Sequence, residues 1–257
     1  MFDRLRPQLL ASSSPSGHMR VLQNDRYRWL ESNADVVHSA MDRHDATALI
    51  LPYTRWMMWP LLLSSIPRSA LCLGLGAGSL TRFLGQICAV TSVEVDAQIA
   101  AWAHQYFDLP ATATLHVEDA RRYLSTVAPE SFDWLVCDLF DTQKVPDWVA
   151  NLSFLDACLA TLSAHGSFVL NTSVYDEARV ERLVLAIQEA ASGPTITLPV
   201  PETANLVVAA FARPILPVAR VTLCERAEML EASWSMPFTQ MANALYNRYG
   251  SRGVVRL

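Results

Sequence analysis

The sequence predicts an α/β protein with a mostly parallel sheet and helices on both faces. From residue 69 onward, short apolar runs alternate with longer helix-type segments, which is typical of parallel strands joined by crossover helices. The glycine-rich run GLGAGS (74–79) directly follows the first apolar run. Hydrophobic residues make up 51% of the 257 residues and charged residues only 18%, a composition that excludes a disordered chain.

Five apolar runs are predicted to be strands of this sheet, with helices between them. The expected strands are 69–75, 89–95, 114–117, 132–138 and 166–174. The first expected helix begins near Ser79. Three further helices are expected over 96–107, about 150–163, and 176–191. The runs TITLPV and LVVAAF are predicted to form a terminal strand pair. The tail over 222–249 is predicted to form two short helices separated near Pro237.

The segment ahead of the sheet is predicted to be of a different kind. Residues 1–17 are expected to be a mobile arm. Residues 19–41 hold β-type runs broken by turn-forming residues, which indicates a small antiparallel hairpin region. Residues 53–64 are expected to form an apolar helix that bends or restarts at Pro60.

These patterns divide the chain into three regions. Residues 1–64 are expected to hold the arm, the hairpin region and the apolar helix. Residues 65–215 are expected to form the ligand-binding α/β domain, and residues 216–257 a helical tail packed on that domain.

The composition also limits the partners and the compartment. A net charge of −5 argues against nucleic acid as the main partner. No apolar stretch approaches the roughly 18 residues that a membrane span needs, and the first residues do not resemble a signal peptide. Five cysteines without a CxxC pair indicate reduced thiols in a cytoplasmic protein. The histidines are scattered, so no metal site is expected.

The strongest local signal is the glycine-rich run with its flanking elements. Gly74, Gly76 and Gly78, with Ala77 between them, let the backbone approach a ligand at a helix N-terminus. Glu94 ends the next strand about 20 positions further on, where an acidic residue holds ribose hydroxyls. We therefore expect an adenosine-type nucleoside site. NAD and S-adenosyl sulfonium compounds share this arrangement, and a serine in place of the third glycine of the NAD fingerprint favours the sulfonium.

Further carboxylates follow the third and fourth strands. Asp119, next to Ala120, could accept a hydrogen bond from an adenine amino group, or could simply cap the helix that starts there. Asp138 and Asp141 lie in DLFD at the end of the fourth strand. This sheet edge faces the ligand crevice, where an aspartate can bind an amine and accept its proton. Loop capping is the alternative interpretation for both.

Several aromatic side chains are candidates for the pocket wall, because aromatic faces favour sulfonium and ammonium cations. They are Tyr53, Trp56, Trp59, Phe140 and Trp148. For Trp56 and Trp59, packing in the core is the favoured interpretation.

Together the motifs resemble the spermidine synthase (polyamine aminopropyltransferase) family. The resemblance extends from about Val21 to Arg213 and rests on LCLGLGAGSLTRFL, TSVEVDAQIAAWAHQYF, LHVEDARRYL and FDWLVCDLFD, in this order. It implies the Rossmann-like class I methyltransferase fold, with a mostly parallel seven-stranded sheet. It also implies a homodimer that uses decarboxylated S-adenosylmethionine or S-adenosylmethionine, with methylthioadenosine as the product of the former.

The resemblance implies roles for individual residues. Glu94 would hold the ribose and Asp119 the adenine, with the glycine run and Ala120 beside the nucleoside. Asp138 would be the catalytic carboxylate, and Asp141 and Tyr53 would contact the small amine substrate.

The sequence departs from the family pattern at three places. Ala77 stands where the family usually has an aspartate that contacts the donor's amine, and Thr54 where it usually has a glutamine. The stretch PETANL (201–206) lacks the tyrosine of the family's PTYPSG. A carboxylate at position 77 would repel the carboxylate of intact S-adenosylmethionine. An alanine there therefore relaxes the discrimination against the intact cofactor. Plant putrescine N-methyltransferases are similar at the first two places.

Three functions therefore stay open. The first is transfer of an aminopropyl or related alkyl group to an amine, including intramolecular attack on the bound donor. The second is S-adenosylmethionine-dependent N-methylation of a small amine. The third is non-catalytic nucleoside binding, which the presence of Asp138 and Asp141 disfavours. A nicotinamide oxidoreductase ranks below these three.

Overall fold

The computed structural model describes residues 7–14, 17–32, 35–141 and 144–257. Within these ranges the chain forms a central sheet of seven strands, an N-terminal sheet of four and a small C-terminal sheet of three. No described helix is long and apolar enough to cross a membrane.

The N-terminal sheet is an antiparallel meander in the order β1-β2-β3-β4. Its strands are β1 (Gln8–Ser14), β2 (Gly17–Gln23), β3 (Tyr27–Ser32) and β4 (Val37–Asp42). It is followed by helix α1 (Pro52–Trp56) and a 3-10 turn (Trp59–Leu62), which confirms a restart near Pro60. The antiparallel region predicted over 19–41 is confirmed by β2, β3 and β4.

The expectation of an arm over 1–17 is wrong for its second half. Gln8–Ser14 is a strand that pairs with β2, with Leu9 opposite Leu22. Its serine-rich sequence gave no strand signal, because the pairing depends on backbone hydrogen bonds supplied by β2. Residues 1–6 and 15–16 of the predicted arm lie outside the described residues.

The central sheet confirms the predicted fold class. Its strands are β5 (Ser69–Leu73), β6 (Ala89–Glu94), β7 (Thr114–Val117), β8 (Phe132–Cys137), β9 (Leu162–Ser173), β10 (Thr195–Pro199) and β11 (Asn205–Phe211). The order is β10-β11-β9-β8-β5-β6-β7. The pairs from β9 to β7 are parallel, whereas β11 is antiparallel to both of its neighbours.

Helices cover both faces of this sheet. They are α2 (Ser79–Leu84), α3 (Ala97–Tyr106), α4 (Ala120–Leu124), α5 (Leu152–Ala160), α6 (Glu177–Ala190), α7 (Arg220–Trp234) and α8 (Phe238–Tyr249). The break near Pro237 is confirmed. The sequence did not predict the small sheet of β12 (Val218–Ala219), β13 (Gly250–Ser251) and β14 (Val254–Val255), whose two-residue strands are too short to leave a pattern.

The alternation of side chains along β5 shows how the two faces are filled. Ala70 and Cys72 pack with residues of α2, α7 and α8, whereas Leu71 and Leu73 pack with residues of α4, α5 and α6. Successive side chains of a strand point to opposite faces. Since both faces are buried, the strand is apolar from Ala70 to Leu73. Its carboxyl end faces the crevice.

Candidate active site

A cavity of about 860 Å³ lies at the carboxyl-terminal edge of the central sheet. The N-terminal meander forms part of its wall through Met19, Leu30, His38 and Ser39. Other parts of the wall come from α1, the loop after β5, the ends of β6 to β9 and the loops and helices that follow these strands. Open α/β sheets bind ligands at this edge, and the volume suits a small molecule.

The loop after β5 is shaped by its glycines. Gly74, Gly76 and Gly78 have φ angles of +91°, +54° and +76°, which side-chain-bearing residues rarely adopt. A Cβ atom on Gly74 would lie 2.4 Å from the carbonyl oxygen of Asp138. Gly74 is therefore required both for its backbone conformation and for the close approach of two loops.

We expect Gly74→Ala to destabilise the protein far more than Gly253→Ala. Gly253 also has a positive φ, +79°, but a Cβ atom there meets nothing within 4 Å. Gly253→Ala should therefore cost only the conformational strain, about 1–2 kcal/mol. Gly74→Ala should lower the free energy of unfolding by about 1–3 kcal/mol more, because the added methyl group displaces backbone. Chemical denaturation measures both, and equal losses would show that the contact with Asp138 is dispensable.

The Glu94 carboxylate is hydrogen-bonded to the backbone of the glycine-rich loop. Its Oε2 atom accepts hydrogen bonds from the backbone N–H groups of Leu75 (3.0 Å) and Gly76 (3.3 Å). Its Oε1 atom accepts one from Asp96 N–H at 3.0 Å. Glu94 lines the cavity and is only 9% exposed. The two parts of the predicted nucleoside site, the glycine-rich loop and Glu94, are thus in direct contact.

Arg82 is hydrogen-bonded to a carbonyl oxygen of the same loop, and sequence reasoning missed this residue. Its guanidinium donates to the carbonyl oxygens of Ala77, Phe107 (2.6 Å) and Ala46 (2.6 Å). Burial lowers the pKa of Arg82 to about 10. An arginine in the first turns of a helix gives no sequence signal that it will be buried.

Ala77 and Gly78 do not line the cavity. The methyl group of Ala77 packs in an apolar cluster with residues that include Leu30 and Trp102. Gly78 is where α2 begins, and its α-carbon faces Leu109. Among the predicted loop contacts, Gly74 and Gly76 face the cavity. The other two are turned away because the chain enters the helix at this point.

Asp119 lies in the cavity wall and also caps a helix. Its Oδ1 atom accepts from Arg121 N–H at 2.8 Å, which confirms the capping interpretation. The Arg121 guanidinium pairs with the same carboxylate and holds the pKa of Asp119 below its usual range. Arg121 is itself stacked 4.6 Å from the ring centroid of Trp148. Asp119 and Ala120 both line the cavity, so capping leaves room for a ligand contact.

Asp138 is the centre of a hydrogen-bonded network that includes the predicted Tyr53. The Tyr53 hydroxyl lies 3.0 Å from Asp138 Oδ2 and 3.1 Å from the carbonyl oxygen of His38. Asn171 Nδ2 donates to Asp138 Oδ1 at 3.0 Å, and Asn205 Nδ2 donates to Asn171 Oδ1 at 3.0 Å. Burial raises the pKa of Asp138, although the bonds from Asn171 and Tyr53 oppose the rise. Burial and the nearby carboxylate raise the pKa of Tyr53 well above its usual value.

Sequence reasoning missed the two asparagines and His38. Asn171 interrupts the apolar run of β9, and a polar residue at a strand position predicted to be buried was the available signal. Asn205 and His38 stand near strand ends and gave no such signal.

Asp141 is exposed in the cavity wall, on the loop after β8. Its backbone forms an isolated bridge with Lys144, with Asp141 N–H donating to Lys144 O at 2.8 Å. Residues 142–143 lie outside the described residues. Lys144, the only lysine in the chain, and Arg179 also line the cavity. The part of the cavity wall formed by Asp141, Lys144 and Arg179 is thus of mixed charge.

The aromatic candidates separate into two groups. Tyr53, Phe140 and Trp148 line the cavity. Trp56 and Trp59 are buried in the main core, as the favoured interpretation predicted. Among the described residues, no group of three or more His, Cys, Asp or Glu side chains could hold a metal ion.

Three known proteins that resemble this chain in sequence or in structure are named as transferases or as a spermidine synthase. No protein-family model matches the chain. A polyamine aminopropyltransferase of Chromobacterium violaceum is 28% identical over 248 residues, covering 94% of this chain and 93% of that protein. A probable spermidine synthase from Corynebacterium glutamicum superposes with a TM-score of 0.73 at 16% identity, covering 98% of this chain and 96% of that one. Human methyltransferase-like protein 13 in complex with SAH gives 0.66 at 21% identity, covering 73% and 94%. The chain is spermidine synthase-like over nearly its whole length, and its fold is that of the class I methyltransferases.

Proposed function

We propose that this protein transfers an aminopropyl or related alkyl group from decarboxylated S-adenosylmethionine to a small amine and releases methylthioadenosine. The observation that carries the proposal is the hydrogen bond between Tyr53 and Asp138 in the cavity wall. These residues are 85 positions apart, and their contact holds a partly buried carboxylate in the cavity wall, where we expect the amine to bind. The full-length similarity to a polyamine aminopropyltransferase supports the same reaction.

The nucleoside half of the donor is assigned to the side of the cavity formed by β6 and β7. A carboxylate can accept about four hydrogen bonds, and Glu94 accepts three from the backbone. One position therefore remains for a ribose hydroxyl. Asp119 and Ala120 receive the adenine, and the open backbone at Gly74 and Gly76 lets the donor lie close to the loop.

The transfer needs little covalent chemistry from the protein. A sulfonium is already an activated donor, so the protein supplies positioning and removal of a proton. An alkylammonium has no free lone pair, and Asp138 takes the proton that frees it. Burial raises the pKa of Asp138, which makes its carboxylate a better proton acceptor than an exposed aspartate. Asp141 also lines the cavity and is more exposed than Asp138, and it attracts the ammonium group.

A second candidate is S-adenosylmethionine-dependent N-methylation of a small amine, and Ala77 favours it. A carboxylate in this loop would repel the carboxylate of intact S-adenosylmethionine. Ala77 carries no charge, and its methyl group packs among apolar side chains outside the cavity wall, so no charge at this position repels the intact donor. The same network around Asp138 would deprotonate the amine in either reaction.

Calorimetric binding of three ligands distinguishes these reactions. We expect decarboxylated S-adenosylmethionine and methylthioadenosine to bind more tightly than intact S-adenosylmethionine. A panel of amines, added with the decarboxylated donor, should then release methylthioadenosine. Tighter binding of the intact compound would replace alkyl transfer with methylation. Binding of none of the three would overturn the nucleoside site itself.

We also propose that the protein works as a cytoplasmic homodimer with no nucleic-acid partner. All five cysteines are free thiols, as expected in a reducing compartment, and the net charge is −5. Leu216, Val221 and Met229 are more than half exposed on and near α7, and a set of exposed apolar side chains favours a subunit contact. Sedimentation equilibrium measures the mass in solution, and a mass of twice the chain is the expected result.

The three regions 1–64, 65–215 and 216–257 are proposed as the structural units of the chain.

A further inference from the structure

We infer that Asn171, held in its orientation by Asn205, is a positioning residue that makes Oδ2 of Asp138 the oxygen that takes the proton from the acceptor amine. The inference rests on the proposed transfer reaction. It concerns two residues that belong to none of the motifs of the sequence.

The first step is the orientation of the Asn171 amide. An ionised carboxylate only accepts hydrogen bonds, and an amide has one accepting and one donating end. Asn205 Nδ2 is 3.0 Å from Asn171 Oδ1, and Asn171 Nδ2 is 3.0 Å from Asp138 Oδ1. This orientation satisfies both neighbours, whereas a flipped amide would oppose like groups at both contacts. Asn171 is only 1% exposed, so solvent cannot replace either bond.

The second step is the position of Asn205. It begins β11 and lies two residues before Val207, which is the register partner of Asn171 on β9. Its backbone N–H donates to Thr203 Oγ1 at 3.1 Å, and its carbonyl accepts from Val200 N–H at 2.9 Å. The sheet register and this turn therefore hold Asn205 against Asn171.

The third step follows from what faces each oxygen of Asp138. Oδ1 faces an N–H donor, so a proton on Oδ1 would meet another hydrogen. Oδ2 faces the Tyr53 hydroxyl, which can donate or accept. When Asp138 is ionised, Tyr53 donates to Oδ2. When Oδ2 is protonated, it donates to Tyr53 Oη, and Tyr53 turns its hydrogen towards the His38 carbonyl oxygen, 3.1 Å away. Both protonation states are fully hydrogen-bonded only if the proton is on Oδ2.

The proton and electron balance of the step is complete. The acceptor ammonium gives one proton to Asp138 Oδ2, and its nitrogen gains a lone pair. That pair forms the new N–C bond, and the pair of the broken C–S bond stays on sulfur as the neutral thioether leaves. The product is an ammonium with one more carbon substituent, and Asp138 then releases its proton to solvent.

The test replaces Asn171 with leucine, which has a similar shape and no donor. We expect kcat for Asn171→Leu to fall by about 10- to 100-fold, the range for one hydrogen bond to a charged group. Methylthioadenosine affinity should change less than about twofold, because β9 carries none of the proposed nucleoside contacts. The acid limb of the pH profile should move to higher pH, since the lost donor no longer stabilises the ionised carboxylate. Asn205→Ala should also move the acid limb to higher pH, but by a smaller amount than Asn171→Leu.

The matched control is Thr161→Val, which removes another buried hydrogen bond, from Thr161 Oγ1 to Cys158 O at 2.7 Å, just before β9. It should lower thermal stability without moving the pH profile. If Asn171→Leu behaves like this control, its role is only structural and the inference is overturned.

A ¹³C titration of the Asp138 carboxyl, assigned with Asp138→Asn, makes the test independent of turnover. An upward shift of the pKa in Asn171→Leu supports the inference, and an unchanged titration overturns it. If the wild-type protein transfers no group from any donor, the proposed function fails. This titration then still decides whether Asn171 controls Asp138.

Discussion

Asp138→Asn is expected to abolish turnover while leaving the affinity for methylthioadenosine nearly unchanged. An asparagine cannot take up a proton, and loss of a general base typically costs about 10²- to 10⁴-fold in rate. The substitution should not disturb the site. Its amide oxygen can accept from Asn171, and its amide nitrogen can donate to the Tyr53 hydroxyl, which then donates to the His38 carbonyl oxygen.

Steady-state release of methylthioadenosine and calorimetry measure the two quantities separately. Asp133→Asn is the matched control, because Asp133 lies at the start of β8, whereas Asp138 directly follows its end, and Asp133 is paired with Arg68. It should leave kcat unchanged. Full activity of Asp138→Asn would remove this carboxylate from the mechanism.

The same variant should be more stable than the wild type at neutral pH. Burial raises the pKa of Asp138 in the folded protein, so the protonated form is favoured by folding. Stability from this group is present below the pKa of an unfolded aspartate and is lost as the pH rises through the folded pKa. The asparagine of the variant would avoid this loss because it is never ionised. A melting temperature for Asp138→Asn that exceeds that of the wild type at pH 7, with the difference closing in acid, is the expected result.

Glu94→Ala should weaken the binding of every adenosine ligand and also lower stability. The change removes the proposed ribose acceptor and the acceptor for three backbone N–H groups. Hydrogen bonds to charged groups are worth about 1.5–3 kcal/mol each, so we expect an affinity loss of at least about tenfold. The free energy of unfolding should fall by about 1–3 kcal/mol, because buried donors lose their partner.

Two further variants test whether the affinity loss is specific to Glu94 and whether it depends on the charge of that side chain. Glu118→Ala removes a carboxylate from the same cavity wall without freeing the glycine-rich loop, and it should change affinity by less than about threefold. Glu94→Gln keeps the shape but not the charge, and should fall between the wild type and Glu94→Ala. Unchanged affinity in Glu94→Ala would show that the nucleoside binds elsewhere.

The fold could be predicted because its signals are local. The runs 70–73 and 134–137 in β5 and β8 are apolar, and the glycine turn and the strand-end carboxylates follow directly in the sequence. The rule that parallel strands end at one edge then brings Glu94, Asp119 and Asp138 to one cavity.

The support around Asp138 could not be predicted, because it depends on register rather than on sequence neighbours. Asn205 reaches Asn171 only because Val207 pairs with Asn171 across β9 and β11. Arg82 reaches the carbonyl oxygens of two segments that fold against α2 from either side. The strand β1 has no apolar alternation of its own and is defined by its neighbour.

The position of the single lysine gives this chain one side chain, at the cavity wall, that carries a primary amine. Lys144 is exposed at the wall of the cavity, and no other side chain in the sequence carries a primary amine. An amine-reactive fluorophore, which also reacts with the α-amino group, would therefore place its one side-chain reporter beside Asp141 in the cavity wall. Its emission would report occupancy of the cavity in real time, without an engineered attachment point.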